Sequence, residues 1–249
     1  LTRRMERVGR LPVAQSVLIA RQVASALGAV HAREVVHRDL KPDNLMLVSD
    51  PEAPNGERIK LLDFGIARLT EELRKSGVQT LSGMLMGTPA YMPPEQALGE
   101  WHRVDGRSDL WALASTMFEL LTGECVHPAE NMQKLLLAAM TKPARPIRSL
   151  VPALPEDVAA IVDRALAFQP EERYADAAAM QADVRSAKAK HGDAPAVIGG
   201  ENQGSGADAV EAKTFVRGEP SDPSMRTRAL RRLGLALAGC DKAAVYAPK

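Results

Sequence analysis

Hydrophobic residues recur at helical spacing over most of the first 190 residues of the chain. The longest pattern covers 13–31, which carries apolar side chains on two helical faces and follows Pro12, a residue favoured in the first turn of a helix. A helix that is apolar on two faces is usually buried. The sequence therefore predicts a long core helix from Pro12 to His31, with His31 as a structural residue of the last turn.

A second apolar segment, 108–122, predicts another buried helix, with Ser108 as its N-cap and Gly123 as its stop. Weaker helical patterns cover 1–10, 129–141, 156–168 and 176–190. The large aromatic residues of this half of the chain are expected to be packing residues: Trp101, Trp111 and Phe118.

Strand-like runs occur at two neighbouring places, 45–48 and 59–62. The polar loop 49–58 between them contains Asn55-Gly56, a strong hairpin signal. The pattern predicts an α+β fold that is mainly helical and contains one short β-hairpin.

The composition changes after residue 190. Residues 191–224 are rich in Gly, Ala, Pro and acidic residues and predict a flexible linker. In 225–249, four arginines precede the apolar run 233–240, which is far too short to span a bilayer. A short solvated or peripheral helix is the favoured interpretation, and a remnant of a juxtamembrane segment is the alternative.

Charge and cysteine usage narrow the functional classes. The chain has 32 basic and 31 acidic residues, a net charge of +1, so we expect no nucleic-acid partner. Cys125 and Cys240 are far apart and predict reduced thiols in a cytoplasmic protein, with a disulfide as the less favoured alternative. No signal peptide and no run of 18 apolar residues is recognisable, and a start at Leu1 rather than Met indicates a fragment of a longer protein.

Two motifs enclose the predicted hairpin. HRDLKPDN, residues 37–44, precedes the first strand, and DFG, residues 63–65, follows the second. A carboxylate loop before a short hairpin and a second carboxylate at the end of its second strand can clamp metal-bound phosphates from two sides. A surface turn is the structural alternative for either motif alone, but the complete set in this context disfavours it.

Together with GTPAYMPPEQ at 87–96, these motifs resemble the bacterial eukaryotic-like Ser/Thr protein kinases, and the resemblance covers 1–190. It implies a kinase C-terminal lobe that uses ATP and Mg²⁺ to phosphorylate proteins. Asp39 would be the catalytic base, and Lys41 would lie against the transferring phosphoryl group. Asn44 and Asp63 would bind Mg²⁺.

The resemblance also assigns supporting residues. Thr88 would hydrogen-bond near Asp39, and Glu95 would pair with Arg173 behind the substrate-docking segment. Asp109 would hold the backbone of the catalytic loop, to which His37 and Arg38 also belong. Pro93 replaces the usual alanine. We hypothesise that Arg38 pairs with a phosphate on Thr80 or Ser82. The alternative is that Ser76, Thr80 and Ser82 are all simple loop residues.

The 36 residues before His37 contain no Gly-rich loop, no strand lysine and no partner glutamate of an ATP-binding lobe. We therefore expect this chain alone to bind Mg-ATP weakly and to have negligible activity. Two alternatives are a non-enzymatic interaction module and a small-molecule phosphotransferase. The intact catalytic set disfavours the first, and Lys41 with the 87–96 segment disfavours the second. Membrane anchoring in a longer parent protein is a further expectation.

Overall fold

The computed structural model describes residues 1–53, 55–63 and 89–191. Within these ranges the chain is mostly helical and has one two-stranded sheet. The helices are α1 (Thr2–Val8), α2 (Val13–His31), α3 (Pro94–Ala97), α4 (Gly106–Thr122), α5 (Met132–Thr141), α6 (Glu156–Ala165) and α7 (Ala177–His191). The strands are β1 (Leu45–Ser49) and β2 (Glu57–Leu61). Single 3₁₀ turns lie at Pro42–Asn44, Pro89–Tyr91, Trp101–Arg103, Ile147–Ser149 and Pro170–Glu172.

The two apolar helices α2 and α4 form the centre of the core. Helix α2 packs against α4, α7 and β2, and α4 also packs against α6. Leu27 of α2 and Leu113, Trp111 and Phe118 of α4 are almost fully shielded from solvent. Burial on several sides explains why both helices are apolar nearly all round.

The ends of α4 correct one prediction and confirm another. Asp105, rather than Ser108, is the N-cap residue. Ser108 occupies the third helical position and completes a capping box, in which its side chain accepts from the Asp105 backbone. Gly123 ends the helix in the left-handed conformation with φ 76°, as the sequence predicted.

Other helix boundaries also differ from the sequence pattern. Helix α5 begins three residues later than predicted because the side chain of Asn131 caps it by accepting from the Lys134 N–H. Helix α6 ends at Ala165 rather than at 168, and α7 extends to His191.

The strands form the predicted antiparallel hairpin, in which Leu45 pairs with Leu61 and Ser49 with Glu57. The connecting loop is longer than a two-residue Asn-Gly turn, because Asp50 N–H still donates to Gly56 O at 2.8 Å. Leu45, Ile59 and Leu61 are buried and join the common core. One face of the hairpin is therefore docked on the helices.

Trp101 is the exception among the predicted packing residues. Trp111 and Phe118 are buried, whereas Trp101 lies in a 3₁₀ turn and is 39% exposed. Among the described residues, Val13–His31 is the one helix long and apolar enough by composition to cross a membrane. It is also the helix at the centre of the core, which accounts for its hydrophobicity without a membrane.

Candidate active site

Asp39 is held by the residue that ends its own motif. The Asn44 side-chain nitrogen donates to the Asp39 carbonyl at 2.7 Å and to Asp39 Oδ2 at 3.1 Å. The 3₁₀ turn Pro42–Asn44 creates this contact by folding the motif back on itself, with Asn44 N–H donating to Lys41 O. With its nitrogen engaged in this way, Asn44 can present its amide oxygen to a cation.

Lys41 lies on the carboxylate of the same residue. Its Nζ is 3.2 Å from Asp39 Oδ2, and both side chains are about one fifth to one quarter exposed. The Lys41 ammonium, a positive charge, and the Asp39 carboxylate, a hydrogen-bond acceptor, therefore lie side by side where solvent can reach them. This arrangement can bind a hydroxyl and an anion side by side.

Asp109 supports the catalytic loop from helix α4. Its Oδ2 accepts from His37 N–H and its Oδ1 from Arg38 N–H, both at 2.8 Å. The His31 ring nitrogen Nε2 lies 2.8 Å from the same Oδ2. The Asp109 side chain is only 1% exposed, so a buried carboxylate holds the backbone just before Asp39. The contact with His31 goes beyond the last-turn role that the sequence suggested.

The backbone at Arg38 is unusual. Arg38 has φ 65° and Asp63 has φ 45°, in a left-handed region that residues with a side chain seldom adopt. Such conformations cost on the order of 1–3 kcal/mol each and persist where surrounding contacts enforce them. At Arg38 these contacts include Asp109 below and Gln96, whose side-chain nitrogen donates to Arg38 O at 3.1 Å.

His37 connects the catalytic loop to the end of the hairpin. Its ring is fully buried, and burial lowers its pKa, so the imidazole is neutral near pH 7. Nδ1 lies 3.4 Å from Asp39 N–H and Nε2 lies 3.0 Å from Leu62 O. A neutral ring that accepts at Nδ1 and donates at Nε2 satisfies both contacts.

The hairpin brings Asn44 and Asp63 to one end of the sheet. Asn44 directly precedes β1, and its carbonyl accepts from Leu62 N–H at 2.9 Å. Asp63 follows Leu62, and its side chain is exposed. An amide oxygen and an exposed carboxylate are the hard oxygen ligands that Mg²⁺ prefers. The donor set at this end of the hairpin therefore fits Mg²⁺.

A protein rarely encloses Mg²⁺ with its own side chains, because the ion keeps waters and substrate phosphates as ligands. In the described ranges no group of three His, Cys, Asp or Glu residues could hold a metal ion. Two protein oxygen ligands are compatible with a magnesium ion that is shared with a bound nucleotide.

A buried ion pair holds helix α3, which carries Glu95. Arg173 Nη1 and Nη2 donate to Glu95 Oε1 and Oε2, each at 2.8 Å. Ser108 Oγ donates to Glu95 Oε1 at 2.6 Å. The structure thus brings together the two residues that the sequence paired across the chain.

An open cavity of about 350 Å³ lies beside the catalytic loop, between α1 and α4. Three of its lining residues are acidic: Glu6, Asp43 and Glu119. Tyr91 also lines it and donates a hydrogen bond to the Glu119 carboxylate. Burial raises the pKa of Glu119. The cavity opens where the residues after 88 meet the catalytic loop.

Several predicted residues lie outside the described ranges: Phe64 and Gly65 of DFG, Thr80, Ser82, Thr88 and Cys240. Within the ranges, the sequence reasoning missed the roles of Gln96 and His31. Both make long-range contacts to groups that have no neighbouring pattern in the sequence, so no local signal could have revealed them.

Comparison with known proteins identifies the family. The model of the protein kinase domain matches residues 1–184. The serine/threonine-protein kinase Pkn1 of Myxococcus xanthus is 43% identical over 175 residues, which cover 70% of this chain and 24% of Pkn1. The serine/threonine-protein kinase PknB of Mycobacterium leprae is 34% identical over 191 residues, covering 76% of this chain and 29% of PknB.

A third relative, the tyrosine-protein kinase MasK of Myxococcus xanthus, is 38% identical over 157 residues, covering 63% of this chain and 22% of MasK. The chain thus spans about a quarter of the length of these curated relatives. With a catalytic loop, a hairpin and a buried Glu95–Arg173 pair in the geometry described above, and a family match over most of its length, the chain belongs to the protein kinase domain family.

Proposed function

We propose that residues 1–190 form the catalytic and substrate-binding C-terminal lobe of a bacterial Ser/Thr protein kinase. The parent enzyme would transfer the γ-phosphoryl group of ATP to protein hydroxyl groups. The observation that carries the proposal is the position of Asp39, whose carboxylate lies between Asn44 Nδ2 at 3.1 Å and Lys41 Nζ at 3.2 Å.

Each residue of this group has a distinct role in the proposal. Asp39 accepts a hydrogen bond from the substrate hydroxyl and orients its oxygen towards the phosphoryl group. Lys41 neutralises charge on that group, for which a compact ammonium is suited. Asn44 and Asp63 would hold Mg²⁺ by their side-chain oxygens. The bound Mg-ATP supplies the phosphoryl group and a cation that offsets its charge.

His37, Arg38 and Asp109 act as positioning residues in this proposal. Asp109 accepts hydrogen bonds from the backbone N–H groups of His37 and Arg38, just before Asp39. The His37 ring hydrogen-bonds to Leu62 O, next to Asp63. Orientation of reacting groups is the main task in phosphoryl transfer, because there is little covalent chemistry for the protein to perform.

A protein substrate is favoured over a small molecule. The buried Glu95–Arg173 pair holds helix α3, within the 87–96 segment that would form the docking surface for an extended peptide. Thr88 would support the choice of Ser or Thr. Because one relative carries the name tyrosine-protein kinase, phosphoamino-acid analysis of the product belongs to the test.

We also propose that 191–224 is a flexible linker and that 225–249 is a basic and apolar tail. The end of the family match at residue 184 supports a domain boundary near 190. We propose that the kinase domain lies in the cytoplasm and that a longer parent protein supplies membrane anchoring.

The test uses the complete open reading frame in which these residues lie. We expect the purified protein to transfer labelled phosphate from ATP to a Ser/Thr-containing protein, and Asp39→Asn to reduce the rate by a factor of about 10³. Asp50→Asn, a change of the same kind after β1 at the opposite end of the hairpin from Asn44, is the matched control and should keep most of the activity. A parent protein that binds protein partners but shows equal background activity with and without Asp39→Asn would instead establish the interaction-module alternative.

A further inference from the structure

Gln22, in the middle of helix α2, makes two hydrogen bonds to the free edge of strand β2. Its Oε1 accepts from Ile59 N–H at 2.8 Å, and its Nε2 donates to Glu57 O at 3.2 Å. The two contacts go to alternate residues of one strand. This is the spacing that a third strand would use to pair with β2.

The register of the hairpin shows why these groups need a partner. Asn44 and Leu62 form a hydrogen-bonded pair, so in the antiparallel ladder the N–H of Ile59 and the C=O of Glu57 point away from β1. Ile59 is buried, and an unpaired backbone group at a buried position costs free energy. Gln22 supplies one donor and one acceptor, which matches the edge in both places.

The match also sets the position of β2 along its own axis. A slide of β2 along α2 by one residue, without rotation of the strand, would place an N–H group opposite Nε2 and a C=O group opposite Oε1. The long loop between the strands cannot supply the same constraint, because it is not a tight two-residue turn. Gln22 is thus a register lock between helix and strand.

The lock lies between the two halves of the candidate active site. Helix α2 leads through His31 into the loop that carries Asp39, and β2 leads through Leu62 to Asp63. Any sliding of β2 against α2 changes the distance between these two carboxylates. We propose that Gln22 is a positioning residue that fixes Asp63 relative to Asp39 by holding β2 in register on α2.

This inference rests on the proposed kinase function only in its last step, and the experiment separates the two. The substitution is Gln22→Met, which keeps the length of the side chain and removes both hydrogen bonds. A second variant, Gln22→Glu, keeps an acceptor for Ile59 N–H but directs a carboxylate oxygen at Glu57 O. Gln15→Met, at an exposed position about two turns earlier on α2, is the matched control.

The first measurement is amide hydrogen exchange in the 249-residue protein. The informative amide is Leu62 N–H, which bonds to Asn44 O at the far end of the hairpin and does not touch Gln22. We expect Gln22→Met and Gln22→Glu to lower its protection by about tenfold, the effect of losing about one net hydrogen bond. Amides in the middle of α4 should keep their protection, as should Leu62 in Gln15→Met. Loss of protection confined to Ile59 would overturn the proposal.

The second measurement uses the complete reading frame and varies the Mg²⁺ concentration. We expect Gln22→Met to raise the Mg²⁺ concentration for half-maximal rate about fivefold while the KM for the protein substrate stays constant. A residue that only stabilises the fold would lower the amount of active enzyme without this split. Unchanged Mg²⁺ dependence in an active variant overturns the positioning role. If the wild type has no activity, the proposed function fails while the exchange result still decides whether Gln22 holds the register.

Discussion

Glu95 and Arg173 are 78 residues apart in the sequence and form a two-point ion pair that is closed off from solvent. The three remaining guanidinium N–H groups of Arg173 are also engaged: Nε donates to Ala167 O at 2.9 Å, Nη2 to Phe168 O at 3.1 Å and Nη1 to Arg107 O at 3.3 Å. The pair therefore joins α3 to the chain between α6 and α7, with every charge matched. Removing one member would leave a stranded charge inside the protein.

The first prediction follows from this stranded charge. Arg173→Met should lower the free energy of unfolding by about 3–5 kcal/mol, the range for breaking a buried pair by removing one partner. Arg173→Lys should also be destabilising, because an ammonium cannot reproduce the fork of contacts. Urea unfolding followed by the fluorescence of the buried Trp111 measures both effects.

Arg148→Met is the matched control for this prediction. Arg148 pairs with Glu156 at 2.8 Å, but the two side chains are 43% and 85% exposed. Such pairs contribute about 0–1 kcal/mol. If Arg173→Met were no more destabilising than Arg148→Met, the buried pair would not have the structural importance assigned to it.

The second prediction concerns Asp109 and the complete protein. In Asp109→Asn, one of the two backbone N–H groups before Asp39 faces an amide NH₂ instead of an acceptor. We expect a fall in kcat of about 100-fold, the effect of a small misplacement of a catalytic group. Hydrogen exchange at the Arg38 amide should accelerate in parallel.

Thr116→Val tests whether any polar change in α4 would do the same. Thr116 is buried and its hydroxyl donates only to Ala112 O within the helix. We expect nearly normal kcat in this variant. Normal kcat in Asp109→Asn as well would remove Asp109 from the group of positioning residues.

The third prediction is a pH dependence that comes from His37. Burial lowers the pKa of His37 below its ordinary value of 6.5, so the unfolded chain binds the proton more readily than the native protein. The contribution of the neutral ring to stability is complete above pH 6.5 and is lost as the pH falls below it. Free energies of unfolding, measured between pH 5 and 8, should therefore decline on the acid side.

His37→Gln removes this titration and keeps a donor for Leu62 O, so its profile should be flatter at acid pH. His127, whose pKa is also lowered by burial, adds to the same decline, and a double variant should be flatter still. An identical slope in wild type and His37→Gln would contradict the prediction.

How much could be predicted from sequence depended on the range of the interaction. Helices α2 and α4 were recognisable because burial on all sides leaves a dense apolar pattern, and the motif 37–44 was recognisable because its residues contact one another. The Gln96–Arg38 and Gln22–Ile59 hydrogen bonds were not predictable. Each joins a side chain to a distant backbone group, and every residue type has the same backbone groups, so the sequence does not indicate which residue is the partner.

The errors have a similar origin. Asp105 and Ser108 are both good N-cap residues, and the sequence alone does not show which of them caps helix α4. The exposure of Trp101 depends on how the 3₁₀ turn Trp101–Arg103 lies on the surface, where Arg103 bonds to Glu100 and Gln169. Hydrophobicity alone predicts burial and does not show such tertiary constraints.

The last prediction concerns the 249-residue chain as a reagent. It contains the residues proposed to orient the hydroxyl and to hold Mg²⁺, but its first 36 residues include no Gly-rich loop and no strand lysine to bind the phosphates. Because these phosphate contacts are missing, we expect the isolated chain to bind Mg-ATP with a Kd in the millimolar range or weaker. A millimolar Kd corresponds to a binding free energy of only about −4 kcal/mol. Calorimetric titration and a phosphotransfer assay at high protein concentration measure the two quantities.

Asp39→Asn provides the baseline for that assay. Turnover by the isolated chain that Asp39→Asn abolishes would show that these residues assemble a complete nucleotide site on their own, and the assignment of phosphate binding to a separate lobe would be wrong. Equal background in both proteins, together with activity of the complete reading frame, would place the missing phosphate contacts outside this chain. We expect the second result, because Lys41 is a single ammonium that already lies 3.2 Å from the Asp39 carboxylate and can offset only part of the charge of a triphosphate.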